Sequence, residues 1–390
     1  MAPTIVYLTG FRQHAGKTVT GLGIISRLLR VMDASRIGYL KPVGQELVTL
    51  ADGTQVDKDA LIIGRFSGIV GYDIAAVSPV RLGAGFTQDY LASNDPRQET
   101  RRLEDAIIES LGRLGDRDVI IAEGSGHPGV GGIVGLSNAD VANLIGAKVV
   151  FLSGGGLGKA LDMLEVDLSY FLYKKTPLRG VLFNRCIPGK IDTMSRLITE
   201  DLLNDRYSGF GGKLRILGFL PEIADLSRPS MRSLAEKFPG AEPIGGDAGS
   251  AWELPCGDTR IISVDADRLQ LEAYLQPHDI VILAASSRRR AHRVLEFHRM
   301  RGTDVPLGGL LLTCGRTDEV AAEIREHIAE VGLPALLVKD DTATAEQRVL
   351  DVCENTKLQP WDTGKMQEIE DLFARWFDLE KFLDVFQIGA

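Results

Sequence analysis

The stretch Thr4-Ile-Val-Tyr-Leu-Thr-Gly10-Phe-Arg-Gln-His-Ala-Gly16-Lys17-Thr18-Val19 joins three signals. Its apolar start predicts a buried strand over Thr4–Leu8. After it, Leu22, Ile25, Leu29 and Met32 fall at i, i+3, i+7 and i+10, the stripe of an amphipathic helix. Between the two lies a glycine-bounded loop ending in Gly-Lys-Thr. That order suits a phosphate cradle. Glycines let backbone amides turn inward, and the helix N-terminus adds its positive dipole end. Lys17 reaches the outer phosphates, and the Thr18 hydroxyl takes Mg²⁺. The loop departs from the usual spacing: five residues separate Gly10 from Gly16 instead of four, and Phe11 stands where the first glycine is expected. The expected binding set here is Gly10, Arg12, Ala15, Gly16, Lys17, Thr18 and Val19, with ATP or another nucleoside triphosphate and Mg²⁺ as cofactors.

Outward from this loop, further apolar runs predict strands at Ile37–Leu40, Asp118–Ala122, Lys148–Leu152, Arg179–Phe183 and Arg215–Leu220. Helical stripes separate them, among them Leu103, Ile107, Leu111, Leu114 and Met194, Leu197, Ile198, Leu202. This alternation predicts a doubly wound, mostly parallel α/β sheet. The strand Val119-Ile-Ile-Ala-Glu123 ends in a carboxylate at the sheet edge where ligands gather, so Glu123 is a candidate metal ligand. A glycine-rich loop follows it, with His127 as a weaker candidate for substrate contact.

Turn-rich sequence around Arg228-Pro229-Ser230, Pro239-Gly240 and Gly245-Gly246 breaks the pattern. The expected organisation is a nucleotide-binding domain over 1–226, a linker over 227–257, and a smaller α/β domain over 258–390. Strands in the last are expected at Arg260–Val264, Asp279–Ala284, Gly308–Thr313 and Pro334–Val338. Helices are expected at Ser287–Arg301 and Asp318–Val331, with a single closing helix from Met366 to Phe386. The helix carrying Arg288-Arg-Arg290, His292, Arg293, His298, Arg299 and Arg301 is strongly basic, and is read either as a solvated face or as a site for an anionic effector. Thr313-Cys314-Gly315 superficially resembles the nucleophile elbow of glutamine-dependent amidases. Its one downstream histidine, His327, is thirteen residues on in a predicted helix, so Cys314 is read as a packing residue.

The formal net charge is −9, which is poor for the broad basic surface of non-specific nucleic-acid binding. No run is long and apolar enough for a spanning helix. The start, MAPTIVYLTG, lacks the pattern of a secretory signal. Four scattered cysteines without a CxxC pair suit reduced thiols in a cytoplasmic protein. Neither a nucleic-acid nor a membrane partner is expected.

The sequence resembles dethiobiotin synthetase and the related N-terminal P-loop domain of some bacterial phosphotransacetylases. The pieces that carry the resemblance occur in order: Gly10…Gly16-Lys-Thr, Gly38-Tyr-Leu-Lys41-Pro-Val, Asp59-Ala-Leu, Ala122-Glu-Gly-Ser-Gly, Gly135-Leu-Ser-Asn-Ala-Asp140, Gly180-Val-Leu-Phe-Asn184 and Leu217-Gly-Phe-Leu-Pro221. The resemblance implies that Thr18, Asp59 and Glu123 form the metal site, and that Lys17 and Lys41 are catalytic. It also implies that Asn184, facing adenine, and Pro221 line the nucleotide site. Asp59 equally suits a helix N-cap, Lys41 a solvated strand end, and Asn184 a turn. Arg12 stands at a position that resembles the site of a second phosphate-reaching lysine in ParA- and MinD-like ATPases, and equally suits a solvated loop residue.

In the second half, Gly308-Gly-Leu-Leu-Leu-Thr313-Cys-Gly315, Leu333–Ala345 and Lys357-Leu-Gln-Pro-Trp-Asp362 resemble the DRTGG module of phosphotransacetylases, with its acid–arginine signature reduced to Ser286-Ser287-Arg288. The acetyl-transferring domain of those enzymes has no counterpart in this chain. The implied function is Mg²⁺-dependent nucleotide binding coupled to a regulatory or dimerisation domain, with an unknown small anionic ligand and a homodimer as partners. The alternative is a carboxylating ligase acting on a different anionic substrate, because bulky, basic Phe11, Arg12, Gln13 and His14 replace the small loop residues of the biotin enzyme.

Overall fold

The computed structural model describes residues 2–246, 249–302, 305–315, 320–354 and 356–389. The chain forms two compact units, one from residues 1–222 with 366–390, the other from 223–365.

The first unit is built on β1 (Thr4–Gly10), β2 (Ile37–Leu40), β3 (Val119–Glu123), β4 (Lys148–Gly154), β5 (Leu178–Cys186) and β6 (Arg215–Pro221). All pairings are parallel, in the order β6-β5-β4-β1-β3-β2. These strands are continuously buried, which is why they read as unbroken apolar runs rather than alternating ones. Helices Pro96–Gly112, Asn138–Leu144 and Leu157–Tyr173 cover one face, packing Leu103, Ile107, Val141, Leu164 and Phe171 against Tyr7, Ile120, Phe151 and Phe183. Helix α1 (Lys17–Leu28) follows β1 through the glycine loop. The strand order reverses at β1, between β3 and β4, so the crevice beyond its C-terminal end is the place where a doubly wound sheet receives ligands.

Two expectations for this unit need correction. The stripe through Met194 and Leu202 is two helices, Ile191–Leu197 and Glu200–Arg206, because Thr199 caps the second by accepting from Leu202 N at 3.1 Å. The closing helix is also two, α2 (Lys365–Trp376) and α3 (Leu379–Phe386), with Asp378 capping α3. Their apolar side belongs to the first unit and not to the second domain, where the sequence reading placed it. Phe373 lies fully buried against Gly23 of α1, and the Asp378 amide donates to Leu217 O at 2.9 Å. Helical periodicity shows that a face is apolar but not which sheet it covers.

The second unit has its own sheet of β7 (Glu242–Ile244), β8 (Thr259–Ile261), β9 (Ile280–Ala284), β10 (Gly309–Thr313) and β11 (Ala335–Leu337), ordered β7-β11-β10-β9-β8. Only β7, at the edge, is antiparallel. Helices Arg268–Tyr274, Arg288–Arg301 and Ala322–Val331 pack one face. Helices Met231–Lys237 and Thr342–Glu354 pack the other. The expected linker over 227–257 is therefore largely structured, contributing a capped helix, an edge strand and the buried Trp252. Asp318, the expected start of the helix found at Ala322–Val331, lies outside the described residues.

Candidate functional site

Gly16 is the N-cap of α1 with φ +86°, a left-handed conformation that glycine adopts without penalty. A Cβ there would also run into the Asn184 amide nitrogen. No side chain caps α1, so its leading amides keep their donor capacity at the mouth of the crevice. The Lys17 side chain is buried and turns back over the loop, donating to Arg12 O at 3.2 Å and Gly126 O at 3.4 Å. Among the described residues it makes no ion pair. Burial and the nearby Lys41 charge lower its pKa to about 8.

At the next residue, the Thr18 hydroxyl is 2.9 Å from Asp59 Oδ1 and 3.0 Å from Glu123 Oε1. Lys41, at the end of β2, places Nζ 2.6 Å from Asp59 Oδ2 and 3.2 Å from Glu123 Oε1. Tyr39 donates to the other Glu123 oxygen at 2.9 Å. Three separate sequence segments thus meet around one hydroxyl. Asp59 reaches this point because Asp57, not Asp59, caps the helix Lys58–Phe66, accepting from the Asp59 amide at 2.9 Å. The alternative reading of Asp59 as an N-cap is thereby replaced.

Electrostatics divide the two carboxylates. Burial pushes Glu123 up to about 7 against the pull of Lys41, with the Asp59 charge adding to the rise. Burial also acts on Asp59, but the charge and hydrogen bond of Lys41, with help from Thr18, outweigh it and hold the acid at about 2. For Lys41, burial is outweighed by Asp59 and Glu123, so its ammonium is held well above the ordinary lysine range. Lys41 is ion-paired with both carboxylates, whereas Lys17 hydrogen-bonds carbonyls and feels Glu123 and Asp59 only at longer range.

The glycine-rich loop after β3 is held by a residue that sequence reasoning quoted but gave no role. Buried Asn138 accepts from Tyr7 OH at 2.9 Å and from Ser125 N at 3.0 Å. It donates to Ser125 O at 2.8 Å and His127 O at 2.7 Å. Ser125 Oγ donates in turn to Val43 O at 2.6 Å. The lack of helical or strand periodicity in Gly124–Gly132 was the one signal that something else must satisfy this backbone.

The remaining predicted residues sit as follows. Ala15 is buried; its carbonyl accepts from Asn184 Nδ2 at 2.9 Å, so the Asn184 amide braces the loop. Gly10 ends β1, Val19 lies half-buried in the first turn of α1, and Pro221 ends β6. Arg12 is exposed, its guanidinium 5.2 Å from the centre of the Phe11 ring. His127 is exposed, and its Nδ1 accepts from Gly129 N at 3.2 Å. In the second unit, Cys314 is exposed at φ +57° and is not the packing residue expected, because the chain turns sharply at the end of β10. The arginines of helix Arg288–Arg301 are largely occupied: Arg290, Arg293 and Arg301 donate to the carbonyls of Ile262, Ala266 and Leu275.

A model of the AAA domain family matches residues 4–230. Among solved structures, the MinD cell division protein of Aquifex aeolicus aligns at 14% identity with a TM-score of 0.32, covering 57% of this chain and 84% of that one. The MinC:MinD cell division protein complex of the same organism aligns at 16% identity with a TM-score of 0.31, covering 57% and 83%.

Proposed function

The chain belongs to the AAA domain family and is a nucleotide-binding P-loop protein, and from that premise we propose that its first unit binds ATP together with Mg²⁺ at the crevice beyond β1. One observation carries the reading. Lys17 is a buried cation whose hydrogen-bond partners are two loop carbonyls, so it lacks the anion that a polyphosphate supplies. The uncapped amides of α1 point to the same ligand class.

The donor set fits Mg²⁺. A hydroxyl and two carboxylates converge at Thr18, Asp59 and Glu123, all hard oxygen ligands. Among the described residues no group of three or more His, Cys, Asp or Glu gathers for a metal. That suits an ion that takes one or two carboxylates and completes its shell with water and phosphate. Bound there, Mg²⁺ supplies charge neutralisation on the phosphates. Lys41 orders the two carboxylates, and Asn184 fixes the loop backbone through Ala15 O. Positioning and charge are what phosphoryl chemistry asks of a protein.

The second unit, with its resemblance to the DRTGG module, is assigned a regulatory or dimerisation role, and the assembly is proposed to be a homodimer. Calorimetric titration with a panel of nucleoside triphosphates, with and without Mg²⁺, tests the reading. Tight binding that needs Mg²⁺ is expected for wild type, followed by phosphate release. At a ligand concentration 100-fold above Kd the folded state gains about 2.7 kcal/mol. Lys17→Ala should lose most of the melting shift. Equal shifts in both proteins remove Lys17 from the site and the reading with it.

A ligase reading draws on Lys41, a second cation beside the Thr18 cluster that could face an anionic substrate. Its pairing with both Asp59 and Glu123 argues for the ordering role instead. Incubation with ATP, bicarbonate and a diamino acid should therefore give no dethiobiotin-type product, and clear turnover would reverse the ranking.

A further inference from the structure

In the second unit, helices Arg288–Arg301 and Ala322–Val331 bring two histidines face to face. Nδ1 of His292 stands 3.0 Å from Nδ1 of His327, and the ring centres are 5.2 Å apart. Each ring has a carboxylate on its far side. Glu296 Oε1 is 3.1 Å from His327 Nε2, and Glu323 Oε1 is 3.9 Å from His292 Nε2. His327 is largely enclosed, at 11% side-chain exposure, while His292 at 41% opens the pair to solvent.

The carboxylate behind His327 bears on the near side. With Glu296 taking the proton of His327 Nε2, the neutral ring presents its Nδ1 lone pair toward His292. Glu323 is too distant to hydrogen-bond His292, so that ring is free to present either Nδ1–H, which closes a hydrogen bond between the rings, or its Nδ1 lone pair, which brings two acceptors onto one point. The second arrangement takes a cation between them. A carboxylate on the distal nitrogen is also the usual partner of a metal-ligating histidine, since it orients the ring and raises its basicity. Two imidazole nitrogens bound to one ion at about 2.0–2.1 Å stand roughly 3.3–3.4 Å apart at the tetrahedral angle and roughly 2.8–3.0 Å apart at a right angle, so the observed 3.0 Å needs an opening of only a few tenths of an ångström for a tetrahedral ion. Imidazole pairs suit the Zn²⁺, Ni²⁺ and Cu²⁺ class rather than Mg²⁺.

We propose that His292 and His327 form a divalent transition-metal site of the Zn²⁺ class, with both Nδ1 atoms as ligands and Glu296 as the positioning residue behind His327. Two protein ligands leave coordination positions for water, so the site is open and exchangeable. It lies apart in sequence from the Thr18 cluster and does not depend on nucleotide binding.

The probe is Zn²⁺ itself, titrated calorimetrically into the full chain held in excess Mg²⁺ to occupy any hard-oxygen site. Wild type should bind one more equivalent than the His292→Gln/His327→Gln double variant, which keeps side chains of similar polarity. Circular dichroism and the melting temperature establish that the variant is folded. Glu296→Gln should retain the site but weaken it by about tenfold or more. Cu²⁺ should perturb the imidazole NMR signals of both histidines before those of His278 or His127. Equal Zn²⁺ stoichiometry and affinity in wild type and the double variant would overturn the proposal, because zinc would then sit elsewhere, at the exposed Cys314 for instance. Failure of wild type to bind Zn²⁺ would overturn it too, and would leave a proton shared between the rings as the cation.

Discussion

Two lysines in one site should respond to the same substitution with opposite sign. Lys17 is buried with no carboxylate in ion-pair contact among the described residues, and burial with the Lys41 charge outweighs the pull of Glu123 and Asp59, lowering its pKa from 10.5 to about 8. At pH 7 the folded state therefore carries a cation it disfavours relative to the unfolded chain, at a cost of roughly 2–4 kcal/mol. Lys17→Met should raise the stability of the nucleotide-free protein while abolishing the nucleotide response. The pH dependence has a definite sign. Between about 8 and 10.5 the unfolded chain holds more protons at this position than the folded one, so wild-type stability gains on Lys17→Met as pH rises. Below about 8 the full penalty remains. Lys41→Met should do the reverse, leaving buried Glu123 beside half-buried Asp59 without the cation they share, a loss of about 3–5 kcal/mol. Denaturant melts of both variants across pH 7–10 check this, and an unchanged or lower stability for Lys17→Met would refute the account of Lys17. Sequence named both residues, but not their difference. The motif fixes that a lysine precedes Thr18; only the fold reveals that carboxylates 18 and 82 residues from Lys41 converge on it and not on Lys17.

At the scale of elements, the six strands of the first sheet were legible because strands buried on both faces leave unbroken apolar runs, whereas their order comes from the fold. The loops between them were less so. Gly124–Gly132 has no periodicity, and its shape comes from one amide, Asn138, which satisfies groups on β1 and on the loop at the same time. That residue looks like an ordinary helix-start polar residue until Tyr7 and Ser125 are seen beside it. Removing it orphans buried donors and acceptors, which costs more than the bonds themselves are worth. Asn138→Ala should destabilise the first unit by about 2–4 kcal/mol. Because Gly126 O is one of the two acceptors of Lys17, nucleotide affinity should fall as well. Measured Kd should rise as the melting temperature drops. A variant that loses stability yet binds as wild type would mean that the Asn138 network supports the fold without shaping the site.

For the molecule as a whole, the sequence order of elements and their assignment to units part company at residue 366. Composition gives no sign of it: α2 and α3 are strongly amphipathic, which marks an apolar face but not the unit it covers. The sign lies in complementarity. Gly23 sits in the middle of α1, where helix propensity disfavours glycine, and any side chain there would strike the Phe373 ring. The small residue makes room for the aromatic one, and Phe377, Phe382 and Phe386 continue the contact as a series of tilted rings. The C-terminal helices are thus part of the core behind the nucleotide loop. Phe373→Ala should open a cavity worth about 3–5 kcal/mol, and its effect should be local to one unit. If the two units melt in separate calorimetric transitions, the substitution should lower the one that nucleotide raises and leave the other in place. Gly23→Ala should act on the same transition, through overpacking instead of a cavity. If Phe373→Ala instead moves only the nucleotide-insensitive transition, residues 366–389 belong energetically to the second unit, and the coupling between α1 and the C-terminal helices is lost as an explanation for Gly23.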